Sequence, residues 1–385
     1  MARPHILVLS SSYPSPTTKE WGSAGIFIQD FCKALLSKYR ITVITQQSVT
    51  GDIDDTIENN IRVIRFPWKG NKKALSTLHP VYNFFSILSV LFAGYMTTRD
   101  YVKQNNVDFI FGAWAVPSGL WALLLKKHYH IPYGVWALGS DIWDYGKKNL
   151  LKYVVKSVLT QADIIFADGF KLISDISNLA GKKSYFLSTT RTLTNVDIVK
   201  PNLDKRKKHF LFIGRYHKNK GIDILLQSIS ILDDEIKKQS HFHIFGGGPI
   251  KKELAHIIDR QNLKSFVTLN GYADNITSAS YLSSCDALII PSRIESIPVV
   301  LSDALQLGCH LIVTDTGDMG DIVQKYQAGI VAKAGCIHSL KEAIQKFHSI
   351  DTTDYTDGMR NLYQLFNINK NISFFQKKLN QSGII

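Results

Sequence analysis

The sequence predicts an α/β fold in which two doubly wound parallel-sheet domains face each other across a cleft. First, a chain of 385 residues is longer than one hydrophobic core usually supports, so two domains are expected. Second, apolar runs of strand length alternate with segments of helical periodicity in both halves, the pattern of parallel sheets covered by helices. Third, between about Ser188 and His209 this alternation is lost around Pro201 and a run of charges, which predicts a linker.

The first domain is predicted to span residues 1–195. Its first strand, His5–Ser10, leads through a loop rich in Ser, Pro, Thr and Gly into a helix that begins at Gly25. Because such a loop can bring backbone N–H groups to a ligand, Gly25 is a candidate contact for a phosphate or a sugar. Later strands are predicted at Ile41–Thr45, Ile61–Phe66, Asp108–Phe111, Tyr133–Ala137 and Asp163–Ala167.

The second domain is predicted to span residues 196–367. It begins with a strand at Phe210–Ile213 and a helix at Gly221–Leu232. A last helix of about 368–385 is expected to pack back onto the first domain. The intervening strands are predicted at His241–Phe245, Phe266–Leu269, Ala287–Ile290 and His310–Val313.

The net charge of +13 is concentrated in the first half, where residues 1–200 hold 23 Lys and Arg against 14 Asp and Glu. Such a surplus suits an anionic partner, either a phosphorylated substrate or an anionic membrane surface, although dispersed lysines often only solvate a surface. Nucleic acid is not expected as a partner, because neither a recognised binding motif nor a regular alternation of aromatic and basic residues is present.

An apolar stretch, Val81–Met96, follows a basic cluster and is shorter than the roughly 20 residues of a membrane-spanning helix. Two interpretations remain open: a buried helix of the first domain, or a helix that dips into an anionic membrane face. The scattered cysteines and the absence of a signal-like start predict a cytoplasmic protein, with peripheral contact at the inner membrane face under the second interpretation. The basic cluster consists of Arg62, Arg65, Lys69, Lys72 and Lys73.

Residues 286–318 contain the strongest candidate site. Two predicted strands end here, on either side of a helix that Pro298 opens and Gly308 ends. Open α/β sheets bind ligands at such an edge, where a helix N-terminus also favours an anion. Glu295 and Asp303 could act there as general acid and base, or as acceptors for hydroxyl groups of a sugar and a ribose. The structural alternative is a charge at the helix start and a solvated residue on the helix.

A second motif, G-R-x4-K-G, occupies residues 214–221 between a predicted strand and a helix. Arg215 offers a planar fork and Lys220 a point charge, so the pair can grip a diphosphate. Basic residues before a helix are also common in exposed loops. After the next strand, Gly246 and Gly247 either let a ligand approach the backbone or simply form a tight turn.

No metal ion is predicted. Asp52 and Asp54 form a D-x-D pair of the kind that can hold a metal-bound nucleotide, but no buried strand leads to them. A solvated acidic loop is therefore favoured. No other cluster of His, Asp or Cys has metal-ligand spacing.

Short motifs follow one another in a recognisable order. In the second half these are GRYHKNKG at 214–221, IFGGGP at 244–249, LNGYADN at 269–275, DALIIPSRIESIPVVLSDALQLG at 286–308, TDTGDMGDIV at 314–323 and AGIVAKAG at 328–335. The first half contributes GIFIQDFCKALL at 25–36, WAVPSG at 114–119, GSD at 139–141 and ADGF at 167–170. Together they resemble the GT-B glycosyltransferases of family 4, retaining enzymes with two Rossmann-like domains that use nucleotide sugars.

The resemblance implies a donor site for a nucleotide diphosphate-sugar in the second domain, without a cofactor. Arg215 and Lys220 match the pair that grips the phosphates, and Glu295 matches the acid that contacts the transferred sugar, so these three are the catalytic candidates. Asp303 falls on the acid that usually holds the ribose. The other donor-binding positions are Gly25, Gly214, Gly246, Gly247, Ser296, Ile297, Pro298 and Gly317.

The sequence departs from the family pattern in the second acid and in the histidines of the first half, where Phe111 and Ala113 also replace residues that are often His. Asp303 is one methylene shorter than the usual Glu, and Leu138 stands where the family commonly has a His before G-S-D. On the acceptor side of the predicted cleft, near Leu138, the remaining polar or aromatic candidates are Trp114, Ser140 and Asp141.

The predicted function is transfer of a sugar, with its configuration retained, to a lipid-linked glycan or a surface polysaccharide. In same-face attack the leaving diphosphate can act as the base, with Arg215 and Lys220 stabilising its charge. Leu138 suggests the alternative, a catalytically silent homologue that acts as partner or regulator of another transferase. An epimerase or phosphorylase is disfavoured, because neither a hydrolytic acid pair nor a cofactor lysine is recognised.

Overall fold

The computed structural model of the chain describes residues 3–15, 25–47, 55–70, 82–143, 149–193 and 196–385. The chain forms two compact units: Met1–Ser188 together with Ile368–Ile385, and Thr189–Asn367. Each unit is built on a largely parallel sheet covered by helices, which confirms the prediction of two parallel α/β domains.

The strands of the first unit are β1 His5–Leu9, β2 Arg40–Gln46, β3 Asp55–Glu58, β4 Ile61–Phe66, β5 Phe109–Ala113, β6 Tyr133–Ala137, β7 Ile164–Ala167 and β8 Tyr185–Phe186. They form one sheet in the order β3-β4-β2-β1-β5-β6-β7-β8. Every residue of β1, β5 and β6 is buried, because helices cover both faces of the sheet.

The antiparallel edge strand β3 is missing from the sequence prediction. It reaches β4 through Asn59 and Asn60, whose φ angles of 50° and 64° make the two-residue turn that Asn favours in hairpins. The predicted acidic loop at Asp52 and Asp54 lies outside the described residues.

The helices of the first unit are α1 Ile26–Leu35, α2 Phe84–Gln104, α3 Leu120–Tyr129, α4 Ser140–Trp143, α5 Asn149–Gln161, α6 Phe170–Ala180 and, from the far end of the chain, α15 Ile368–Gln381. One face of the sheet carries α2, α3, α5 and α6, and the other carries α1 and α15. On the second face the ring centroid of Phe375 lies 5.0–5.2 Å from those of Phe31, Phe111 and Phe166.

Helix α2 is the apolar segment that the sequence left open between two interpretations. Its buried face includes Val90, Gly94, Thr98 and Tyr101. A side chain at Gly94 would overlap the indole of Trp121, so the small residue lets α2 and α3 approach closely. The helix is therefore part of the first unit, although its outer face is exposed to solvent.

The strands of the second unit are β9 Lys208–Ile213, β10 Ser240–Phe245, β11 Val267–Leu269, β12 Ala287–Ile290, β13 His310–Thr314 and β14 Ile330–Ala332. They form a parallel sheet in the order β11-β10-β9-β12-β13-β14. The strand order reverses between β9 and β12, and open α/β sheets bind ligands at the carboxyl side of such a switch point. The loops that follow these two strands carry the G-R-x4-K-G motif and Glu295.

The helices of the second unit are α7 Ile222–Ser230, α8 Asp234–Lys238, α9 Lys251–Arg260, α10 Asn275–Leu282, α11 Val299–Leu307, α12 Met319–Lys325, α13 Ile337–Ser349 and α14 Thr356–Tyr363. The core of this unit surrounds β9, β10 and β12 and contains both aliphatic and aromatic side chains, among them the stacked Phe210 and Phe242. This core fixes the sheet edge from which the candidate site is built.

The division between the units follows residue 188, whereas the predicted boundary follows residue 195. The difference arises because the intervening segment is bound to α11. Gln306 donates from its side-chain amide to the carbonyl of Arg191 at 2.6 Å and accepts from the N–H of Leu193 at 3.1 Å. The segment without periodicity thus belongs to the second unit.

Candidate functional site

Lys220 and Glu295 are brought together at the switch point of the second sheet. The ammonium of Lys220 forms an ion pair with Oε2 of Glu295, although 75 residues separate them. Their side chains are 31% and 18% exposed, so both charges are accessible to a ligand. Arg215, which follows β9 by two residues, is exposed.

Arg293 joins the two loops that carry Lys220 and Glu295. Its guanidinium donates to both carboxylate oxygens of Asp223 at 2.7 Å and to the carbonyl of Lys218 at 2.6 Å. Burial acts to raise the pKa of Asp223, but the hydrogen bonds and charge of Arg293 outweigh it, so the pKa lies below its usual value. We call this contact between Arg293 and Asp223 the Arg293 clamp. It holds an ionised carboxylate at the start of α7.

Arg293 and Asp223 are not among the residues predicted from the sequence. The available signal was their position: Asp223 is in the first turn of α7, and Arg293 follows β12 by three residues. A carboxylate at the start of the helix that follows β9 and an arginine in the loop after the adjacent β12 can meet, but their spacing in the sequence does not show that they do.

The glycine turn after β10 packs against the loop after β9. Gly246 donates its N–H to the carbonyl of Gly271 at 3.0 Å, and Gly214 donates to the carbonyl of Phe245 at 3.1 Å. Beside Gly247 lies the ring of Tyr272, which a Cβ on the glycine would approach to 2.6 Å. The turn thus permits close backbone packing at the site edge.

The segment between Glu295 and α11 is tightly packed. Ser296 and Ile297 are 6% and 4% exposed, and Pro298 immediately precedes the helix. A side chain at Gly317 would overlap the carbonyl of Glu295, and the φ of 58° there also favours glycine. The loop after β13 therefore supports the backbone that presents Glu295.

Asp303 lies deeper in the second unit and is 1% exposed. Its Oδ2 accepts from Nε and Nη2 of Arg191 at 2.9 and 2.7 Å. Nη1 of Arg191 donates to the side chain of Asn275 at 3.0 Å. Asp303 thus holds Arg191 in place, and the ribose contact stays a prediction. Arg191 has no sequence signal, because it lies in the segment without periodicity.

In the first unit, Gly25 precedes α1 at the carboxyl side of the sheet. Its φ is 77°, and a side chain there would overlap the carbonyl of Ser12 in the loop after β1. Trp114 follows β5 with a φ of 70°, a conformation that is uncommon for a bulky residue. Its half-buried ring lies 6.4 Å from that of Phe27 in an edge-on arrangement.

Asp141 ties together the loops that follow β5 and β6. Its Oδ2 accepts from the N–H of Ala115 at 2.7 Å and its Oδ1 from the N–H of Leu138 at 3.2 Å. Burial raises the pKa of Asp141 to about 6, against the opposing effect of these backbone hydrogen bonds. Leu138 is half-buried beside it. Ser140 begins α4, and its side chain lies outside the described part of the structure.

Among the described residues, no group of three or more His, Cys, Asp and Glu side chains could hold a metal ion. In that same part of the chain, no helix is long and apolar enough to cross a membrane. The close-packed His209, His241 and His243 lie on β9 and β10. His209 and His241 are near the amino ends of these strands, away from the candidate site, and His243 lies mid-strand in β10.

Two family models match the chain. Residues 194–361 match the model described as glycosyl transferases group 1, and residues 22–169 match the glycosyl transferase 4-like model. The two matches fall in the second and the first half, respectively.

Proteins with similar sequences include glycosyltransferases from several microbes. An uncharacterised glycosyltransferase of Methanocaldococcus jannaschii is 25% identical over 68% of this chain and 71% of its own length. A putative teichuronic acid biosynthesis glycosyltransferase of Bacillus subtilis is 27% identical over 64% of this chain and 63% of its own. The N,N'-diacetylbacillosaminyl-diphospho-undecaprenol alpha-1,3-N-acetylgalactosaminyltransferase of Campylobacter jejuni is 25% identical over 78% and 80%.

Solved structures show the same fold. Sucrose-phosphate synthase from Thermosynechococcus elongatus superposes with a TM-score of 0.82 over 98% of both chains, at 17% identity. Anabaena HepE in complex with UDP-glucose gives 0.71 over 97% of this chain and 100% of its own, at 14% identity. With its two matched halves and its paired α/β units, the chain belongs to the GT-B glycosyltransferases of family 4.

Proposed function

We propose that this glycosyltransferase moves a sugar, with its anomeric configuration retained, from a nucleoside diphosphate-sugar to a lipid-linked or surface-polysaccharide glycan. The observation that carries the proposal is the pairing of Lys220 with Glu295 at the switch point, with Arg215 exposed after the neighbouring strand. Cations suit a diphosphate, and a carboxylate suits the hydroxyl groups of a sugar.

The proposed reaction needs no protein base. The acceptor hydroxyl oxygen attacks the anomeric carbon on the face from which the diphosphate leaves, and the bond between that carbon and the phosphate oxygen breaks. The departing diphosphate oxygen takes the hydroxyl proton. Arg215 and Lys220 stabilise the charge that develops on the diphosphate, while Glu295 accepts a hydrogen bond from the sugar.

In this mechanism the donor diphosphate competes with Glu295 for the ammonium of Lys220. The ion pair therefore opens when the donor binds, which frees the carboxylate for the sugar. Because Arg215 and Lys220 supply the positive charge at the diphosphate, we propose that the reaction requires neither a metal ion nor an organic cofactor.

The nature of the acceptor is proposed from the relatives. The Bacillus subtilis relative is named for teichuronic acid biosynthesis, and the Campylobacter jejuni relative is named for an undecaprenyl diphosphate-linked substrate. Both names indicate cell-envelope glycans. A lipid-linked acceptor would place the protein at the cytoplasmic face of the cell membrane, in peripheral contact with anionic lipid.

The test compares two lysines of one loop. Lys220→Ala should lower the rate of nucleoside diphosphate release from sugar donors at least about 100-fold, because it removes a charge that stabilises the leaving group. Lys218→Ala is the matched control, since Lys218 is 67% exposed and reaches only Glu253, at 4.0 Å. Release is measured over a panel of nucleotide sugars with membrane extract as acceptor. Equal rates in the two variants would refute the site assignment.

Leu138 favours a second candidate function. A half-buried leucine occupies the position at which the family commonly has a histidine, between β6 and the buried Asp141. The chain would then bind a nucleotide but serve as partner or regulator of another transferase. Nucleotide binding without turnover on any donor in the panel would support this candidate, whereas donor hydrolysis alone would exclude it.

A further inference from the structure

Helix α2 presents an exposed apolar surface at its amino-terminal end. The described part of the chain has fourteen exposed large hydrophobic residues, and five of them lie between residues 82 and 92. We call these five the apolar patch. Its members are Tyr82, Phe84, Phe85, Leu88 and Phe92, exposed by 86, 52, 77, 43 and 68%.

The patch lies on the side of α2 that turns away from the core. Phe85, Leu88 and Phe92 recur at helical spacing and so share one stripe of the helix surface. The core-facing residues, among them Val90 and Gly94, occupy the other side. The helical part of the patch, residues 84–92, extends over about 13 Å of helix, so it can lie in a bilayer interface but cannot cross the bilayer.

The charge beside the patch is positive. Between Glu58 and Asp100 the sequence contains six Lys and Arg and no Asp or Glu. Arg62, Arg65 and Arg99 pair with Asp55, Glu58 and Asp100, so among the described residues of this stretch the positive charge rests on Lys69. The exposed Lys69 lies beside the helix, because its backbone N–H donates to the hydroxyl of Ser89 at 2.9 Å. The stripe itself continues toward Lys103, an exposed cation near the end of the helix.

These features fit an anionic lipid surface better than a second copy of this chain. Two copies would bring the same basic surroundings together, and like charges repel. Anionic headgroups would instead complement the cations while the aromatic side chains enter the boundary between headgroups and acyl chains. Exposed apolar patches rimmed by polar residues commonly mark such contacts.

We propose that the apolar patch docks the first unit onto bilayers rich in anionic lipid, with Lys69 placed beside the lipid phosphates. The inference deepens the proposed function, on which it rests for the lipid-linked acceptor, by naming the surface at which that acceptor is met. Docking itself needs neither donor nor turnover. A failure of docking is therefore distinguishable from a failure of the proposed reaction.

The experiment is co-sedimentation of the full chain with vesicles of phosphatidylcholine, alone or mixed with phosphatidylglycerol. We expect binding to the mixed vesicles only. The double variant Phe85→Ser/Phe92→Ser should weaken it at least about tenfold, because two apolar anchors are lost. Ile57→Ser is the matched control, since Ile57 is 79% exposed on β3 of the same unit. Its binding should equal that of the wild type.

Lys69→Glu should weaken binding to the mixed vesicles. Melting temperatures of all variants show whether each remains folded, because the substituted side chains are exposed. Absence of binding by the wild-type chain, equal binding to both vesicle types, or equal losses in the Ile57 and Phe85/Phe92 variants would overturn the proposal. So would a dimer in solution that the double variant abolishes, because the patch would then be a self-association surface.

Discussion

Asp141 is a buried carboxylate with a pKa of about 6, raised by burial from 3.8. An aspartate whose pKa is higher in the folded than in the unfolded state binds more protons when folded. Its contribution to stability is therefore fully present below the unfolded pKa and is lost as the pH rises through the folded pKa. The first unit should be sensitive to pH in that interval.

We expect the free energy of unfolding of the wild type to fall by about 2–3 kcal/mol relative to that of Asp141→Asn between about pH 4 and pH 6.5. The asparagine does not titrate, so the difference between the two proteins isolates this group. Urea unfolding followed by tryptophan fluorescence measures it. Parallel pH profiles for the two proteins would contradict the assigned pKa.

Single residues also show which contacts cannot be predicted from local sequence patterns. The sequence correctly predicts that Asp303 lies on α11, because the apolar spacing of this helix and of the preceding strand are local patterns. It does not predict the ion pair of Asp303 with Arg191, because Arg191 lies 112 residues away in a segment without periodicity. The same holds for the contact between Arg293 and Asp223, 70 residues apart. Local patterns place a side chain on an element, but its long-range partner depends on packing.

At the scale of elements, the Arg293 clamp connects the loop after β12 to the start of α7. We expect Arg293→Ala to weaken binding of nucleoside diphosphate about tenfold, because the loops that carry Lys220 and Glu295 lose their shared anchor. The lost charge-assisted hydrogen bonds should also lower stability by roughly 1.5–3 kcal/mol. Calorimetric titration with a nucleoside diphosphate and urea unfolding measure the two effects.

The control for the clamp is Arg206→Ala. Arg206 also forms two hydrogen bonds to a carboxylate, that of Asp204, but its side chain is 89% exposed and it lies outside the site. Its loss should change neither affinity nor stability measurably. Arg293→Lys keeps the charge but not the planar fork, so an intermediate affinity would show that geometry matters as well as stability.

The strands were the most predictable elements. Buried parallel strands such as β1, HILVL, are continuous apolar runs, and helices separate them at regular intervals. The short edge strand β3 was missed because its residues, DTIE, are half-exposed and polar. The sequence predicts an apolar segment in the region of α2, but only the structure shows which face of the helix packs against the core of the first unit. The outward direction of Phe85 and Phe92 could not be obtained from an apolar run alone.

At the scale of the whole molecule, α15 completes the core of the first unit. We expect Phe375→Ala to destabilise that unit by about 3–5 kcal/mol, because it leaves a cavity among Phe31, Phe111 and Phe166. All six tryptophans fall within residues 1–188. Tryptophan fluorescence during urea unfolding therefore reports on this unit alone.

Phe374→Ala is the matched control for this prediction, since the neighbouring side chain is only half-buried against Tyr185. It should cost clearly less than Phe375→Ala. Equal effects from the two substitutions would show that α15 contributes little to the core of the first unit.

The position of α15 in the chain also affects the order of events during synthesis. The first unit lacks the partner of its phenylalanine cluster until the ribosome has passed through residues 189–367, a stretch of 179 residues. At about 5–20 residues per second this takes roughly 9–36 s. The second unit, which is contiguous, is synthesised completely before α15. The nascent chain therefore exposes an aromatic surface to chaperones until α15 is made. The first unit begins to be synthesised before the second unit but is completed after it.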